Sequence, residues 1–344
     1  MRAIIDCTGY NESLKPINDY RPTPLINIVG KPCLFYVFDA LTRLGVKKVE
    51  LILCHLPKMI EERVFEGERW GLEIDYYLAQ NPNRPFSIVS GTAKGWPEEC
   101  LIIGRGDELP SFEFTKNQLQ LFDYANGSWS GWGSIPTGLI SNLQGDENFW
   151  DIFSLFRGDK KKCDPFIKMS NFSELRETNI KLINEGHGDT LFPTSARMVE
   201  PDIWISRGVV IHPGTKIVGP AFIGESVNLS EKTVIGPQVV IEDNCFIDKG
   251  SKIKGSVIAQ NSYVGESLAI ENAYVDRNLL VDLKNETQIK ITDNFILSEL
   301  HESKKDNFLY CLFEKAFALF LIILFSPLKL FLNADFEEIV RAHV

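Results

Sequence analysis

This 344-residue chain contains seven cysteines, and the spacing of cysteines indicates whether they can form disulfides or bind zinc. Their number is odd and no two of them form a Cys-x-x-Cys pair, so the pattern fits neither a disulfide framework nor a zinc site. We expect buried, reduced thiols in a cytosolic protein. The seven are Cys7, Cys33, Cys54, Cys100, Cys163, Cys245 and Cys311.

Two tryptophans in a glycine-rich run are a second group of candidate functional residues. Trp129 and Trp132 lie in the run from Ser128 to Gly133, where their rings could stack against a sugar or a nucleobase. The same run also fits a strand and turn in which both rings are structural. Both interpretations are open at this point.

The charge of the chain limits the classes of partner. A formal net charge of -10 disfavours DNA or RNA, because their phosphate backbones are also negative. A nucleotide is not excluded, since one local cluster of donors can hold a phosphate. The apolar run after Met1 is too brief for a signal peptide, so we expect the chain to stay on the cytoplasmic side.

An internal repeat of six residues occupies the middle of the chain. Every sixth residue from Ile205 to Ile253 is Ile or Leu, and turn-forming Gly, Pro, Asn and Asp fall between them. A period of six fits neither an amphipathic helix nor a hairpin meander. It predicts a triangular coil of three short parallel strands per turn, with the large aliphatic side chains pointing inward. The spacing slips after Ile253, where the next aliphatic residues are Ile258, Val264 and Ile270.

This segment resembles the hexapeptide-repeat family, which includes acyltransferases and several sugar-nucleotide pyrophosphorylases. The resemblance implies a left-handed parallel β-helix over residues 200–298, through which the chain could form a homo-oligomer. Acyltransferases of this family use a histidine as general base, and His212 is the histidine within the repeats. A histidine at such a corner is commonly structural, and no long loop interrupts the coils to form an acyl-CoA cleft.

Strands alternate with helices over residues 1–195, which predicts a mostly parallel, doubly wound α/β sheet. The predicted strands are Arg2–Asp6, Val49–Cys54 and Leu72–Leu78, and the predicted helices are Leu34–Leu44 and Lys58–Phe65.

Several segments of this domain resemble sugar-1-phosphate nucleotidyltransferases, including mannose-1-phosphate guanylyltransferases, in order and spacing. The run from Arg21 to Pro32 is similar to the segment after their phosphate loop, Ser90–Ala93 to their nucleotide-contacting loop, and Gly106-Asp107 to the strand end that holds their metal-binding aspartate. The resemblance implies a GT-A-like domain with a pocket for a nucleotide or sugar phosphate. The candidate pocket residues are Gly9, Lys15, Gly91, Thr92 and Asp107, of which Asp107 is the candidate metal ligand.

The chain departs from this family at the residues that carry the chemistry. Only Gly9 remains of the glycine-rich phosphate loop, and Ser13 takes the place of the arginine that holds the triphosphate. Thr23 replaces the lysine that neutralises the sugar phosphate, and Lys168 replaces the second metal-binding aspartate. Each such contact typically contributes a few kcal/mol to transition-state stabilisation, so their combined loss predicts a catalytically impaired protein.

An apolar run follows the repeats at residues 308–333. Its uncharged part from Ala316 to Leu328 is shorter than the roughly 20 residues that span a bilayer, and Pro327 would kink it. It fits an interfacial or re-entrant membrane helix, a cap on the β-helix or an oligomer contact, or a full span. It also resembles the opening membrane helix of polyprenyl-phosphate sugar-1-phosphate transferases. That resemblance implies a peripheral position at the inner face of the membrane and a sugar-phosphate transferase as partner.

Three functional hypotheses follow. The first is a catalytically impaired, nucleotidyltransferase-like scaffold or regulator of nucleotide-sugar and surface-polysaccharide biosynthesis, held at the membrane by residues 308–333. The second is an active enzyme that converts an NTP and a sugar 1-phosphate to an NDP-sugar and pyrophosphate, with Mg²⁺ as its cofactor. The third is a hexapeptide-repeat acyltransferase that acts through His212.

Overall fold

The computed structural model describes residues 1–115, 118–143, 150–185, 195–285 and 287–300. The strands of the α/β domain are β1 Arg2–Cys7, β2 Asn27–Ile28, β3 Lys31–Pro32, β4 Lys48–Leu53, β5 Glu73–Leu78, β6 Cys100–Arg105, β7 Leu109–Ser111, β8 Gln120–Asp123, β9 Trp129–Pro136, β10 Asp159–Lys162 and β11 Asp164–Ile167. Its helices are α1 Ile17–Tyr20, α2 Cys33–Arg43, α3 Pro57–Val64, α4 Val89–Ala93, α5 Thr137–Ser141, α6 Asp151–Leu155 and α7 Phe172–Glu185.

A mixed sheet forms the centre of this domain, with the strand order β10-β8-β9-β6-β1-β4-β5. β1 pairs in parallel with β4 and β6, while β9 runs antiparallel to β6 and β8. Ala3 and Ile5 of β1 face one buried cluster and Ile4 faces another, as expected when successive side chains of a strand point to opposite faces. Both faces of the sheet are therefore covered, which is typical of a doubly wound fold.

The predicted alternation of strands and helices is confirmed, and each predicted boundary lies within one residue of the observed one. Helix α2 forms because its apolar residues recur at helical spacing. Leu34, Val37, Phe38 and Leu41 are all buried, and the turn that ends the helix continues into Gly45, which adopts a positive φ.

The repeat region, residues 197–300, consists of short strands. They are β12 Arg197–Glu200, β13 Ile203–Ile205, β14 Val210–Ile211, β15 Lys216–Ile217, β16 Ala221–Ile223, β17 Asn228–Leu229, β18 Val234–Ile235, β19 Val239–Ile241, β20 Phe246–Ile247, β21 Lys252–Lys254, β22 Val257–Ile258, β23 Ser262–Val264, β24 Ala269–Glu271, β25 Ala273–Asp276, β26 Leu279–Asp282, β27 Thr287–Lys290 and β28 Leu297–Glu299.

Three parallel ladders run through the repeat region, β13-β16-β19-β22-β25, β14-β17-β20-β23 and β15-β18-β21-β24. Each strand pairs with the one three places further along the chain, so three strands make one turn. Ile205 lies opposite Ile223, and Ile223 lies opposite Ile241, three hexads apart. The predicted parallel-strand region is confirmed, and the left-handed sense of the coil stays a prediction.

The predicted slip in the repeat appears as a shortening by one residue. Ile241 pairs with Ile258, and Ile247 pairs with Val264, each one residue short of three hexads. The inward position is kept across the slip, because Ile258 and Val264 are fully buried. The loss of one residue is therefore absorbed between strands.

The α/β domain and the repeat region share one buried core. Phe222, Val240 and Tyr274 of the repeats belong to the same apolar cluster as the sheet and helices of the α/β domain. The ring centroids of Phe172 and Tyr274 are 5.5 Å apart across this junction. Residues 1–300 form one compact unit, and the boundary predicted between 1–195 and 200–298 stays a prediction.

The predicted apolar helix at 308–333 lies outside the described residues, as does Cys311. In the ranges that the structure does describe, no helix combines the length and the apolar character needed to cross a bilayer.

Candidate functional site

A polar cleft of about 270 Å³ opens at the carboxyl ends of β1 and β6. Ligands of open α/β sheets commonly bind at this edge, because loops diverge from neighbouring strands there. The residues that line the cleft are Asp6, Thr8, Gly9, Tyr10, Pro82, Asn83, Arg105, Asp107 and Trp150. The sequence had predicted two of them, Gly9 and Asp107, as pocket residues.

The lack of a side chain at Gly106 lets the ends of β1 and β6 approach each other. The N–H of Gly106 donates to the carbonyl of Asp6 at 2.9 Å, and a Cβ at Gly106 would meet the sulfur of Cys7 at 2.4 Å. Gly9 faces the second strand end, where an added Cβ would lie 3.5 Å from Asp107 Oδ2. The close approach of the two strands therefore brings Gly9 to Asp107.

Asp107 is held by Arg105, two residues before it on the same strand end. Arg105 Nε donates to Oδ1 of Asp107 at 2.9 Å, and Nη2 donates to Oδ2 at 2.7 Å. Nη1 lies 3.3 Å from Oε2 of Glu108. Burial lowers the pKa of Arg105, but the two neighbouring carboxylates outweigh it, so that the pKa rises and the guanidinium stays charged.

Asp6 supplies a further carboxylate to the cleft. Its Oδ1 accepts hydrogen bonds from the backbone N–H and the hydroxyl of Thr8, at 2.9 and 2.7 Å. Burial raises the pKa of Asp6, although the bonds from Thr8 and the charge of Arg105 act in the opposite direction. Sequence reasoning missed Asp6 and Arg105. The available signal was a charged residue after the apolar run of each of two strands, Asp6 after residues 3–5 and Arg105 at the end of β6.

The other predicted pocket residues lie outside the lining of the cleft. Lys15 is half exposed, and its Nζ lies 3.7 Å from Oε1 of Glu12 and 5.4 Å from the ring centroid of Tyr10, which is a cleft residue. Lys15 is therefore near the rim. Gly91 and Thr92 are exposed on α4 and do not line the cleft.

The three positions at which the chain departs from the family motif have other contacts. The backbone N–H of Ser13 donates to Oδ1 of Asn11 at 3.0 Å. Thr23 is buried, and its hydroxyl donates to Oδ1 of Asn18 at 2.9 Å. Lys168 donates to Oε1 of Glu174 at 3.1 Å.

Trp129 and Trp132 are both buried within β9, which supports their structural interpretation over sugar or base stacking. Trp132 is fully buried and its Nε1 donates to the carbonyl of Glu108 at 2.8 Å. Trp129 Nε1 donates to the carbonyl of Trp132, also at 2.8 Å. The tryptophan at the cleft is Trp150 instead, which is 49% exposed, with the guanidinium carbon of Arg105 lying 5.5 Å from its ring centroid.

His212 lies at an exposed turn between β14 and β15. Its backbone N–H donates to the carbonyl of Leu229 at 2.9 Å, as part of the parallel ladder. The following Pro213 and Gly214 are exposed as well. The surroundings of this histidine are those of a coil corner, and its role in acyl transfer stays a prediction.

Six cysteines in the described part of the chain are free thiols, and Cys7, Cys33, Cys163 and Cys245 are buried. Burial raises the pKa of Cys7 and of Cys33 well above the usual thiol range, so both are neutral. Cys7 and Cys33 therefore act as small apolar residues beneath the cleft. Within the described ranges, no group of three or more His, Cys, Asp or Glu is arranged to hold a metal ion.

Comparisons with known proteins give matches over both halves of the chain. A family model described as the GMPPB C-terminal domain matches residues 217–300. The probable mannose-1-phosphate guanylyltransferase 2 of Oryza sativa subsp. japonica is 20% identical over 80% of this chain and 86% of its own length.

Two bacterial relatives match a shorter part. The N-acetylmuramate alpha-1-phosphate uridylyltransferase of Neisseria meningitidis serogroup B is 26% identical over 33% of this chain and 50% of its own length. The D-glycero-alpha-D-manno-heptose 1-phosphate guanylyltransferase of Campylobacter jejuni subsp. jejuni is 30% identical over 35% and 53%, respectively. The chain thus spans about half the length of each of these two curated relatives.

Proposed function

The chain belongs to the sugar-1-phosphate nucleotidyltransferase family, and on that premise we propose that it is a catalytically impaired member that acts in nucleotide-sugar metabolism by binding rather than by turnover. The relatives named above carry the names of guanylyl- and uridylyltransferases for sugar 1-phosphates. We propose a ligand of the same chemical class for this chain, a nucleotide or a sugar phosphate.

The observation that carries the proposal is the bonding of Arg105 to both oxygens of Asp107 in the candidate cleft. The carboxylate in the position of the family's metal ligand is thereby paired with a cation of the protein itself. Nucleotidyl transfer needs cations on the phosphates, because charge shifts onto the departing pyrophosphate. A cleft in which Asp6, Asp107 and Glu108 surround one guanidinium supplies that stabilisation poorly.

The contacts at the positions where the chain differs from the family motif support the same conclusion. Thr23 is buried with a neutral partner and Lys168 is paired with Glu174, so neither position offers a free cation or a second carboxylate to a substrate. Lys31, a possible substitute for the missing lysine, is bonded to Asp39 and lies 4.2 Å from the ring centroid of Tyr36.

The test is pyrophosphate release from the purified full chain, with Mg²⁺, each common NTP and a panel of hexose and heptose 1-phosphates. We expect no release above the enzyme-free background, together with binding of a nucleotide or NDP-sugar in titration calorimetry. Turnover at a rate normal for this family, abolished by Asp107→Ala, would refute the proposal. It would support the active-enzyme alternative, which is favoured by the presence of Gly9 and Asp107 in one cleft.

The acyltransferase alternative has its own test. It requires consumption of acyl-CoA by the full chain and loss of that consumption in His212→Ala. The exposed corner in which His212 lies does not support it.

We further propose that residues 308–333 hold the protein at a membrane surface and that the repeat region winds as a left-handed β-helix. The apolar composition of the first segment and the hexad spacing of the second support these proposals. The full chain is expected to co-float with liposomes and a chain ending at residue 307 to stay behind. Equal behaviour of the two would remove the membrane role, and an experimental density map would decide the hand of the coil.

A further inference from the structure

The family resemblance implies Mg²⁺ at Asp107, but the bonding of this residue does not fit a metal ligand. Mg²⁺ takes its carboxylate ligands at about 2.1 Å in near-octahedral geometry and needs open lone pairs on their oxygens. Both oxygens of Asp107 already accept hydrogen bonds from one guanidinium. A metal ion would have to displace that guanidinium or bind through the remaining lone pairs, directly beside its positive charge.

From this disagreement we propose that Arg105 takes the place of the divalent cation at Asp107, so that the cleft is closed to Mg²⁺ and binds its ligand without it. The inference rests on the proposed function only in assigning the cleft to a nucleotide or sugar phosphate. It adds that the positive charge of the site is built into the strand end.

The guanidinium is matched to its acceptors on all three nitrogen atoms. Nε and Nη2 form the two-point contact with Asp107, and Nη1 reaches Glu108 at 3.3 Å. Planar two-point pairing of this kind is the strongest geometry available to arginine. The carboxylates of Asp107 and Glu108 are 14% and 11% exposed at the side chain, so water competes little for these contacts.

The neighbours of Arg105 also restrict its movement. Trp150 lies on one side, with its ring centroid 5.5 Å from the guanidinium carbon. Glu108 is itself fixed, because its other oxygen accepts a hydrogen bond from the hydroxyl of Tyr124. The arginine therefore has a defined place between an aromatic ring and two anchored carboxylates.

Mn²⁺ alone is a suitable probe, because it takes the same oxygen ligands as Mg²⁺ and is detected by electron paramagnetic resonance. The control is Arg207→Ala, which removes an arginine from the exposed Arg207–Glu225 pair. The full chain and this control are expected to bind Mn²⁺ equally weakly. Arg105→Ala and Arg105→Gln are both expected to bind Mn²⁺ more tightly than the unmodified chain, with a dissociation constant lower by roughly tenfold or more. In Arg105→Ala/Asp107→Asn this tighter binding should vanish.

Two results would overturn the proposal. One is a Mn²⁺ site in the unmodified chain that Asp107→Asn abolishes, because the guanidinium would then not exclude the metal. The other is the absence of any gain in both folded Arg105 variants, with folding checked by thermal unfolding. Neither Mn²⁺ measurement involves turnover. Pyrophosphate release by the unmodified chain would therefore refute the proposed function, whereas the proposal for Arg105 would still be decided by Mn²⁺ binding alone.

Discussion

Nη1 of Arg21 lies 3.6 Å from Oδ2 of Asp276, across the junction between the α/β domain and the repeat region. The Asp276 side chain is fully buried and also accepts a hydrogen bond from Nε of Arg277 at 3.0 Å. Nearby, Asn27 of the same sequence segment as Arg21 donates to Oε2 of Glu242 at 3.0 Å. A segment that resembles a family motif thus also fixes how the two halves of the chain pack.

The first prediction concerns the stability of this junction. Arg21→Ala should lower the free energy of unfolding by about 3 kcal/mol, because it leaves a buried carboxylate with one cation fewer. Arg207→Ala, which breaks an exposed ion pair in the repeat region, should change it by about 0.5 kcal/mol or less. Urea unfolding of both variants measures the difference. Equal values would mean that the Arg21–Asp276 pair contributes nothing to the packing of the two halves.

The second prediction is a dependence of stability on pH that originates at Glu242. Burial raises the pKa of Glu242 from 4.5 to about 7, with the bond from Asn27 and the charge of Arg21 opposing the shift. The folded chain therefore holds this proton more tightly than the unfolded chain does. Stability should fall as the pH rises from about 4.5 to about 7 and change no further above that, by up to ~3 kcal/mol.

Glu242→Gln should remove the part of this slope that Glu242 contributes, because the amide does not titrate, while carboxyls such as Asp6, whose pKa is also raised by burial, keep their own part. Urea unfolding between about pH 5 and pH 8 measures it. Glu231→Gln, on an exposed side chain of the same region, removes a charge without touching the junction and should leave the slope as it is. A slope as steep in Glu242→Gln as in the unmodified chain would assign the dependence to another group.

The sequence predicted the repeat region more fully than it predicted the site. The hexad spacing depends only on which residues point inward, and Ile223, Ile235 and Ile247 are indeed fully buried. The slip after Ile253 was readable for the same reason. The expectation that each hexad aliphatic is buried holds less well at the first turn. Ile211 is 46% exposed there, and it lies on the first strand of its ladder among the described residues.

The candidate site was predictable only where it depends on strand ends. All of the pocket residues were placed by resemblance; Gly9 and Asp107 follow neighbouring strands and meet, whereas Gly91 and Thr92 lie on α4 and do not line the cleft. Arg105 was missed because the comparison with the family motifs considered only the positions of the family's own functional residues, and Arg105 is not at one of them. The partner of Arg21 is far along the chain, and a local pattern carries no information on such contacts.

The third prediction concerns Gly104, which precedes Arg105 on β6. A Cβ at this position would lie 2.8 Å from three ring atoms of the fully buried Trp132. Gly104→Ala should therefore destabilise the chain by about 1–3 kcal/mol, since the ring is packed on all sides. Gly91→Ala is the matched control, because nothing lies within 4 Å of the added methyl group and the residue is helical. It should be neutral or stabilising by about 0.5–1 kcal/mol in thermal or urea unfolding.

The fourth prediction concerns ligand binding at Trp150. This half-exposed ring lines the cleft and is held edge-on by Trp129, with ring centroids 5.7 Å apart and an interplanar angle of 90°. A tryptophan ring that is 49% exposed at the wall of a cleft is suited to stacking against a nucleobase. Trp150→Ala should weaken binding of a nucleoside diphosphate or NDP-sugar by roughly threefold to tenfold in titration calorimetry, and Trp150→Phe should weaken it less.

Phe65→Ala provides the control for Trp150, because it removes an aromatic ring that is 72% exposed and does not line the cleft. Its dissociation constant should equal that of the unmodified chain. If Trp150→Ala also bound with unchanged affinity, the base would not stack at this wall of the cleft. If it changed the affinity for a sugar 1-phosphate as much as for the nucleotide, the ring would contact the sugar, because a sugar phosphate has no base to stack.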